Sequence, residues 1–156
     1  MIQRWFLIAI STLAVASSII HATPNEITWP QLEDLNFETG EMPDQLRQYH
    51  EQTVKVAGFI VPLEMEDTIE EVIEFLLVPD PLACIHVPPP PPNQMIMVTM
   101  TQPVPLDMNL RGVEIIGKLS IVKTKHGDYS FELAGTSSKK VVIEYEDPLM
   151  EFLIDY

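Results

Sequence analysis

Val54-Lys55-Val56-Ala57-Gly58-Phe59-Ile60 and Val113-Glu114-Ile115-Ile116-Gly117-Lys118-Leu119 share one pattern: valine, charge, aliphatic, any residue, glycine, any residue, aliphatic. The first stretch belongs to Thr53–Val61, which alternates with period two, is rich in β-branched residues and stops at Pro62, so it reads as a strand. The second belongs to Val113–Val122, which reads the same way. A glycine inside a strand marks a bulge or a tight bend, and a small barrel needs such points where its strands curl round to close. Two strands kinked at equivalent places therefore decide the fold: all-β, a small OB-like barrel of five to six short strands, with a meander or sandwich as the competing arrangement.

Working outward, Val72–Val78 reads as a buried strand ended by Pro79, against a short helix whose length Pro79 and Pro81 would limit. Met95–Thr101 is the next strand. Tyr129–Leu133 follows Val113–Val122 across a His126-Gly127-Asp128 turn, and Val141–Tyr145 is expected as a sixth strand. Pro148–Tyr156 is apolar enough to dock on the barrel. Before the barrel, Thr23–Thr39 is a polar, acidic lead-in with Trp29 and Phe37 as its apolar anchors, expected to wrap the domain. Met42–His50 makes a short helix with proline in its first turn. The acidic tract Glu64, Glu66, Asp67, Glu70 and Glu71 reads as a solvated face.

The chain has 156 residues, enough for one compact domain. Met1–Arg4 carries one positive charge, the run from Trp5 to Ala16 is apolar or small, and Ala14-Val15-Ala16 offers a small-x-small cleavage site with Ala22 as a second candidate. Residues 1–22 are thus expected to be a secretory signal peptide and the product periplasmic. An uncleaved anchor is the rival, because the apolar stretch continues through Ile20. The division expected is 1–22 signal, 23–52 lead-in with a short helix, and 53–156 barrel.

Nine Lys and Arg against 23 Asp and Glu give a net charge of −14. Such a field repels phosphate backbones and anionic lipid, so nucleic acid is excluded as a partner despite the habits of OB-type barrels, and mutual repulsion makes a monomer the expected state. One cysteine rules out an intramolecular disulfide framework and any CxxC motif. No G-x-S-x-G, H-E-x-x-H or phosphate-cradling glycine loop is present, and no nucleophile has an evident base, so no enzymatic activity is expected.

The chemistry-bearing segment is Ala83-Cys84-Ile85-His86-Val87-Pro88-Pro89-Pro90-Pro91-Pro92-Asn93-Gln94. If Cys84–Val87 is extended, period two puts Cys84 and His86 on one face, and a thiolate with an imidazole suits one zinc or copper(I) ion. Two ligands are too few, so the rest would come from His126, His50, a carboxylate, water or a partner. Cys84 also fits a small buried hydrophobe or a redox thiol, and His86 a core histidine bonded to a backbone carbonyl. Pro88, Pro89, Pro90, Pro91 and Pro92 impose polyproline II geometry, about 15 Å of chain without a backbone N–H. This strut is either a stiff loop or a ridge for a docking partner. It ends at Asn93 and Gln94, whose amides tie the loop back to the barrel or face a ligand.

Gly58–Glu64, Glu74–Pro79 and the C-I-H-V-P-P-P-P-P-N-Q string together resemble the bacterial secreted proteins grouped as domain of unknown function 3299 (DUF3299), over about Trp29–Leu133. The resemblance implies a periplasmic or lipid-anchored protein encoded near ABC-type transport machinery, in some cases near functions of transition-metal homeostasis, and so implies transporter components and a divalent metal ion as partners. It attaches no catalytic role to Cys84, His86, the prolines, Asn93 or Gln94. The lipid-anchored members carry a cysteine at the signal cleavage site, and this chain does not.

Overall fold

The computed structural model describes residues 23–63, 69–81, 90–106, 112–122 and 129–143. Strands β1 (Asn25–Glu26), β2 (Thr53–Pro62), β3 (Glu71–Val78), β4 (Ile96–Pro105), β5 (Val113–Ile121) and β6 (Phe131–Lys140) form one sheet in the order β1-β2-β3-β4-β6-β5. Pairing of β2 with β5 closes the last five into a barrel, with β1 as an extra parallel strand on β2. All barrel pairs are antiparallel except β4 with β6. The barrel strands, numbered by themselves, run 1-2-3-5-4-1, the order of an OB-type barrel.

The echoed segments pair with each other. Val56 faces Ile115, and outward from that rung Val54 faces Gly117 and Gly58 faces Val113, so the pattern is read once in each direction about a local two-fold. Gly58 is the last β2 residue paired with β5, and Phe59 begins the pairing with β3. Gly117 lies where the β5–β6 register shifts. Both glycines thus occupy the bends expected of them. A Cβ on Gly117 would stand 2.5 Å from the Ala134 carbonyl oxygen, and one on Gly58 2.7 Å from that of Val78.

Alternate residues of β2 and β5, with Phe75, Leu77, Ile96, Val98, Phe131 and their neighbours, fill the barrel. Each such side chain contributes about 1.5–3 kcal/mol by leaving water. A smaller apolar cluster lies on the outer side: Phe59, Val78 and Met95, with Tyr129 and Ile143 against them. Helix α1 (Trp29–Glu33) and helix α2 (Asp44–Arg47) carry the lead-in across the barrel. Its anchors are Ile27, Leu32, Leu35 and Leu46, all buried. Trp29 packs with them and donates Nε1–H to the Ala57 carbonyl at 2.7 Å, whereas Phe37, read as an anchor, is 41% exposed.

Two strand limits differ from the sequence reading. The strand expected at Val141–Tyr145 is absent over residues 141–143, while β6 runs on to Lys140 through Gly135 and polar residues, because β5 supplies partners as far as Lys140. Tyr145 and the 126–128 turn lie outside the described residues, as does Pro148–Tyr156. Strand β4 continues past Thr101 through Pro103, which sits in a break of the β3–β4 register where its missing N–H costs no ladder bond.

Because backbone atoms block both glycine sites, Gly117→Ala and Gly58→Ala should each cost about 1–3 kcal/mol. Urea denaturation should show this as a lower midpoint, with Gly117→Ala at the larger end because all three of its nearest obstacles are backbone.

Candidate functional site

The sequence places the interesting residues on the β3–β4 connection. Of these, Pro90, Pro91, Pro92, Asn93 and Gln94 are described, and Cys84, His86, Pro88 and Pro89 lie outside the described residues, as does His126. Pro91 is exposed and extended at φ −65°, ψ 155°, which is polyproline II geometry, and Pro92–Gln94 then turn as one 3-10 turn into β4.

This end of the connection is held from three sides. The buried Asn93 donates Nδ2–H to the carbonyls of Glu33 at 3.0 Å and Leu35 at 2.9 Å, groups that the C-terminal end of α1 leaves without helical partners. The Gln94 amide approaches the Trp29 carbonyl at 3.4 Å. The Ser130 N–H donates to the Pro92 carbonyl at 2.9 Å, which joins the turn to the start of β6. Met95 then enters the outer cluster of Phe59 and Val78. The two amides therefore tie the loop mainly to the lead-in rather than to the barrel wall. A proline run followed by Asn-Gln signalled a tether, but its acceptors are backbone carbonyls, which carry no sequence label.

Asn93 Oδ1 is buried and has no hydrogen-bond partner among the described residues. Swapping the amide would set Oδ1 against two carbonyl oxygens, so the orientation is fixed by its acceptors.

His50, a candidate for completing a metal site, is exposed and engaged elsewhere. Its Nδ1 accepts the Ile121 N–H at 3.0 Å and so closes the end of β5. Glu51, at φ 63°, donates its own N–H to the Leu119 carbonyl. Its carboxylate meets Lys118 Nζ and accepts the Ser120 hydroxyl at 2.8 Å. The Lys118 hydrogen bond, then that of Ser120, holds the Glu51 carboxyl below its usual value near 4.5. On the β1–β2 seam, Lys55 lies between Glu26 at 3.1 Å and Glu114 at 3.5 Å, and the hydrogen bond to Glu26 leads in raising its pKa. Among the described residues no group of three or more His, Cys, Asp and Glu is arranged to hold a metal ion. Nor is any described helix long and apolar enough to cross a membrane.

A closed five-stranded barrel of OB order, plugged by an N-terminal helix and carrying a tethered proline loop, is the class of protein that these features define. The model of the family described as "Protein of unknown function (DUF3299)" matches residues 30–140, and the chain belongs to that family. The chain is similar to a DUF3299 family protein from Pseudomonas aeruginosa PAO1 solved by crystallography, with 25% identity and a TM-score of 0.57, covering 81% of this chain and all of that one. A second solved chain, described as an aspartyl-tRNA synthetase from Leishmania major Friedlin, aligns at 11% identity and a TM-score of 0.39 over 86% of this chain and 24% of that one, too weakly to inform the fold or function. No curated protein matches the chain.

Two outcomes follow. Asn93→Ala removes two hydrogen bonds from a buried site and should cost about 1–3 kcal/mol. Asn93→Asp sets a carboxylate against two carbonyls and should cost more at neutral pH, with part of the loss recovered on acidification, when the protonated acid regains a donor. Denaturant titrations of both variants at two pH values check this. At Glu51 the lowered folded pKa stabilises above the unfolded value and the benefit disappears as pH falls through the folded one. The melting-temperature gap between the native chain and Glu51→Gln should therefore be open at neutral pH, close as the pH falls below 4.5, and narrow with added salt.

Proposed function

We propose that this chain is an exported periplasmic accessory protein whose working part is the β3–β4 connection, and that Cys84 and His86 on that connection bind one transition-metal ion, zinc or copper(I), in support of a transport system. The observation that carries the reading is the tethering of the segment's foot. Asn93, Gln94 and the Pro92 carbonyl fix the end of a segment whose five prolines have no freedom in φ. Holding a ligand pair on a stiff, anchored loop lowers the entropy that metal capture would otherwise cost. Thiolate and imidazole two residues apart are the donors that zinc and copper(I) select. The signal-like residues 1–22 support export, and no catalytic role is assigned to any residue.

A second reading is favoured by Pro91, which is exposed and already in polyproline II geometry. On this reading the ridge docks a subunit of a membrane transporter and no metal is involved. Calorimetry of the fully reduced protein with zinc and with copper(I) separates the two. The native chain should bind one ion at micromolar concentration or better, and the Cys84→Ala, His86→Ala double variant should bind at least about tenfold more weakly with unchanged circular dichroism. Indistinguishable isotherms would remove the metal reading and leave the ridge.

A further inference from the structure

The outer face of β3, β4 and β6 carries a groove that none of the described residues of the proline segment lines. In the register of the sheet, Leu76, Met97, Glu132 and Ser120 form one row across four strands, and Glu74, Thr99, Ala134 and Lys118 form the next. A shallow depression of about 420 Å³ lies over these rows, with Leu63 of the β2–β3 connection at one side and Tyr129 of the β5–β6 connection at the other. It shares Leu63 and Glu74 with a second depression of about 410 Å³ that continues over Ile69, Glu71 and Ile73. Counting barrel strands alone, this is the face of the second and third strands between the first and fourth connections, where OB-type barrels hold extended ligands.

The break in β3–β4 pairing shapes this face. Strict alternation would send one of Ile73 and Glu74 inward, but the register shifts between Val72 and Glu74, and both side chains are exposed. Bulges are used in this way to re-aim side chains beside binding sites. The result sets apolar surface beside carboxylate: Ile73 is 49% and Leu63 48% exposed, next to Glu74 and across from Glu132. Among the described residues no Lys or Arg lines either depression. Lys118, at the end of the second row, is engaged by Glu51.

We propose that this groove docks an extended peptide segment of a partner protein that carries Lys or Arg between apolar residues. Charge complementarity selects the cation: the charged groups that line the groove among the described residues are all glutamates, in a chain of net charge −14. The exposed Ile73 and Leu63 select against a purely polar ligand, and the open shape selects a polymer, since a pocket for a small molecule covers most of its ligand. Two strand spacings and one same-face step separate Glu74 from Glu132, about 12 Å between their backbones, close to four residues of an extended chain. Basic side chains at i and i+4 of such a segment meet the two carboxylates, with a residue between them over Met97 and Thr99. The same acidity turns the OB face away from nucleic acid.

The test uses a fluorescein-labelled nonapeptide with lysine at every second position and leucine or serine between, read by anisotropy at low salt against the full chain. The basic peptide should bind, a glutamate counterpart should not, and salt should weaken binding. Glu74→Gln with Glu132→Gln should reduce affinity about three- to tenfold, as two exposed ion pairs would. Thr99→Lys, a cation on the exposed floor, should reduce it likewise. Glu38→Gln with Glu41→Gln makes the same change in net charge on the lead-in and should leave affinity unchanged. Equal losses from both double variants would overturn the proposal in favour of unspecific attraction to an acidic protein. Absence of peptide binding, with or without binding of spermine to the groove, would overturn it too, the spermine result assigning the face to a small polycation.

Discussion

Closure of the barrel rests on the antiparallel contact of β2 with β5. Each strand brings an alternating apolar row and one glycine four residues after its valine, and pairing about Val56 and Ile115 sets each glycine opposite the other strand's valine. Without those glycines the strands could not bend where they must: at Gly58 β2 passes from β5 to β3, and at Gly117 β5 shifts its register on β6. A side chain at either place would meet backbone carbonyls. Everything else hangs on this closure, because only a closed barrel has a filled interior, an end for α1 and Trp29 to cover, and an outer surface on which a second cluster can form.

That outer cluster explains how the fold fixes the described end of the proline connection. Phe59 and Val78 face each other on the outside of β2 and β3, and Met95, the first residue after the Asn93-Gln94 turn, packs on them. Hydrophobic contact holds the backbone at Met95, and hydrogen bonds hold it just before, at Pro92 and Asn93. Prolines supply no donors, so the connection is secured through carbonyls and through the first side-chain amides available after the run. The lead-in is as much a partner in this as the barrel, since α1 offers the carbonyls that Asn93 needs.

Much of the architecture was legible in the sequence because alternation and β-branching are local signals. The glycine echo identified both bends, and strands β2, β3 and β5 lie where the alternating or continuous apolar runs stand. The errors have specific causes. Strand β6 contains Gly135, Ser137, Ser138 and two lysines, a poor strand by composition that exists because β5 lies beside it, while Val141-Val142-Ile143 has the composition of a strand and, among the described residues, only the bond from the Val141 N–H to the Gly112 carbonyl beyond the last ladder pair. The extension of β4 past Thr101 was not legible, because a register break cannot be read from one strand alone. Phe37 has the hydrophobicity of an anchor, yet the covering residues are Leu32 on α1 and Leu35 just past its end. At the site, the tethering amides were legible and their acceptors were not. His50 appeared isolated although its ring closes the β5 end through a backbone N–H.

The division of labour between the two outer regions follows from charge and stiffness. A proline segment gains nothing from the acidic face, because it has no cation to place there, and its own fixed geometry is already paid for by its rings. The β3–β4–β6 face is the reverse: its backbone is locked in the barrel wall, and a register break leaves both Ile73 and Glu74 exposed on it. An OB-type barrel that binds nucleic acid uses this face with basic and aromatic side chains. Here the same scaffold carries glutamate, leucine and isoleucine, so on the docking proposal the fold supplies the location of the surface while the side chains set the sign of the ligand it would take.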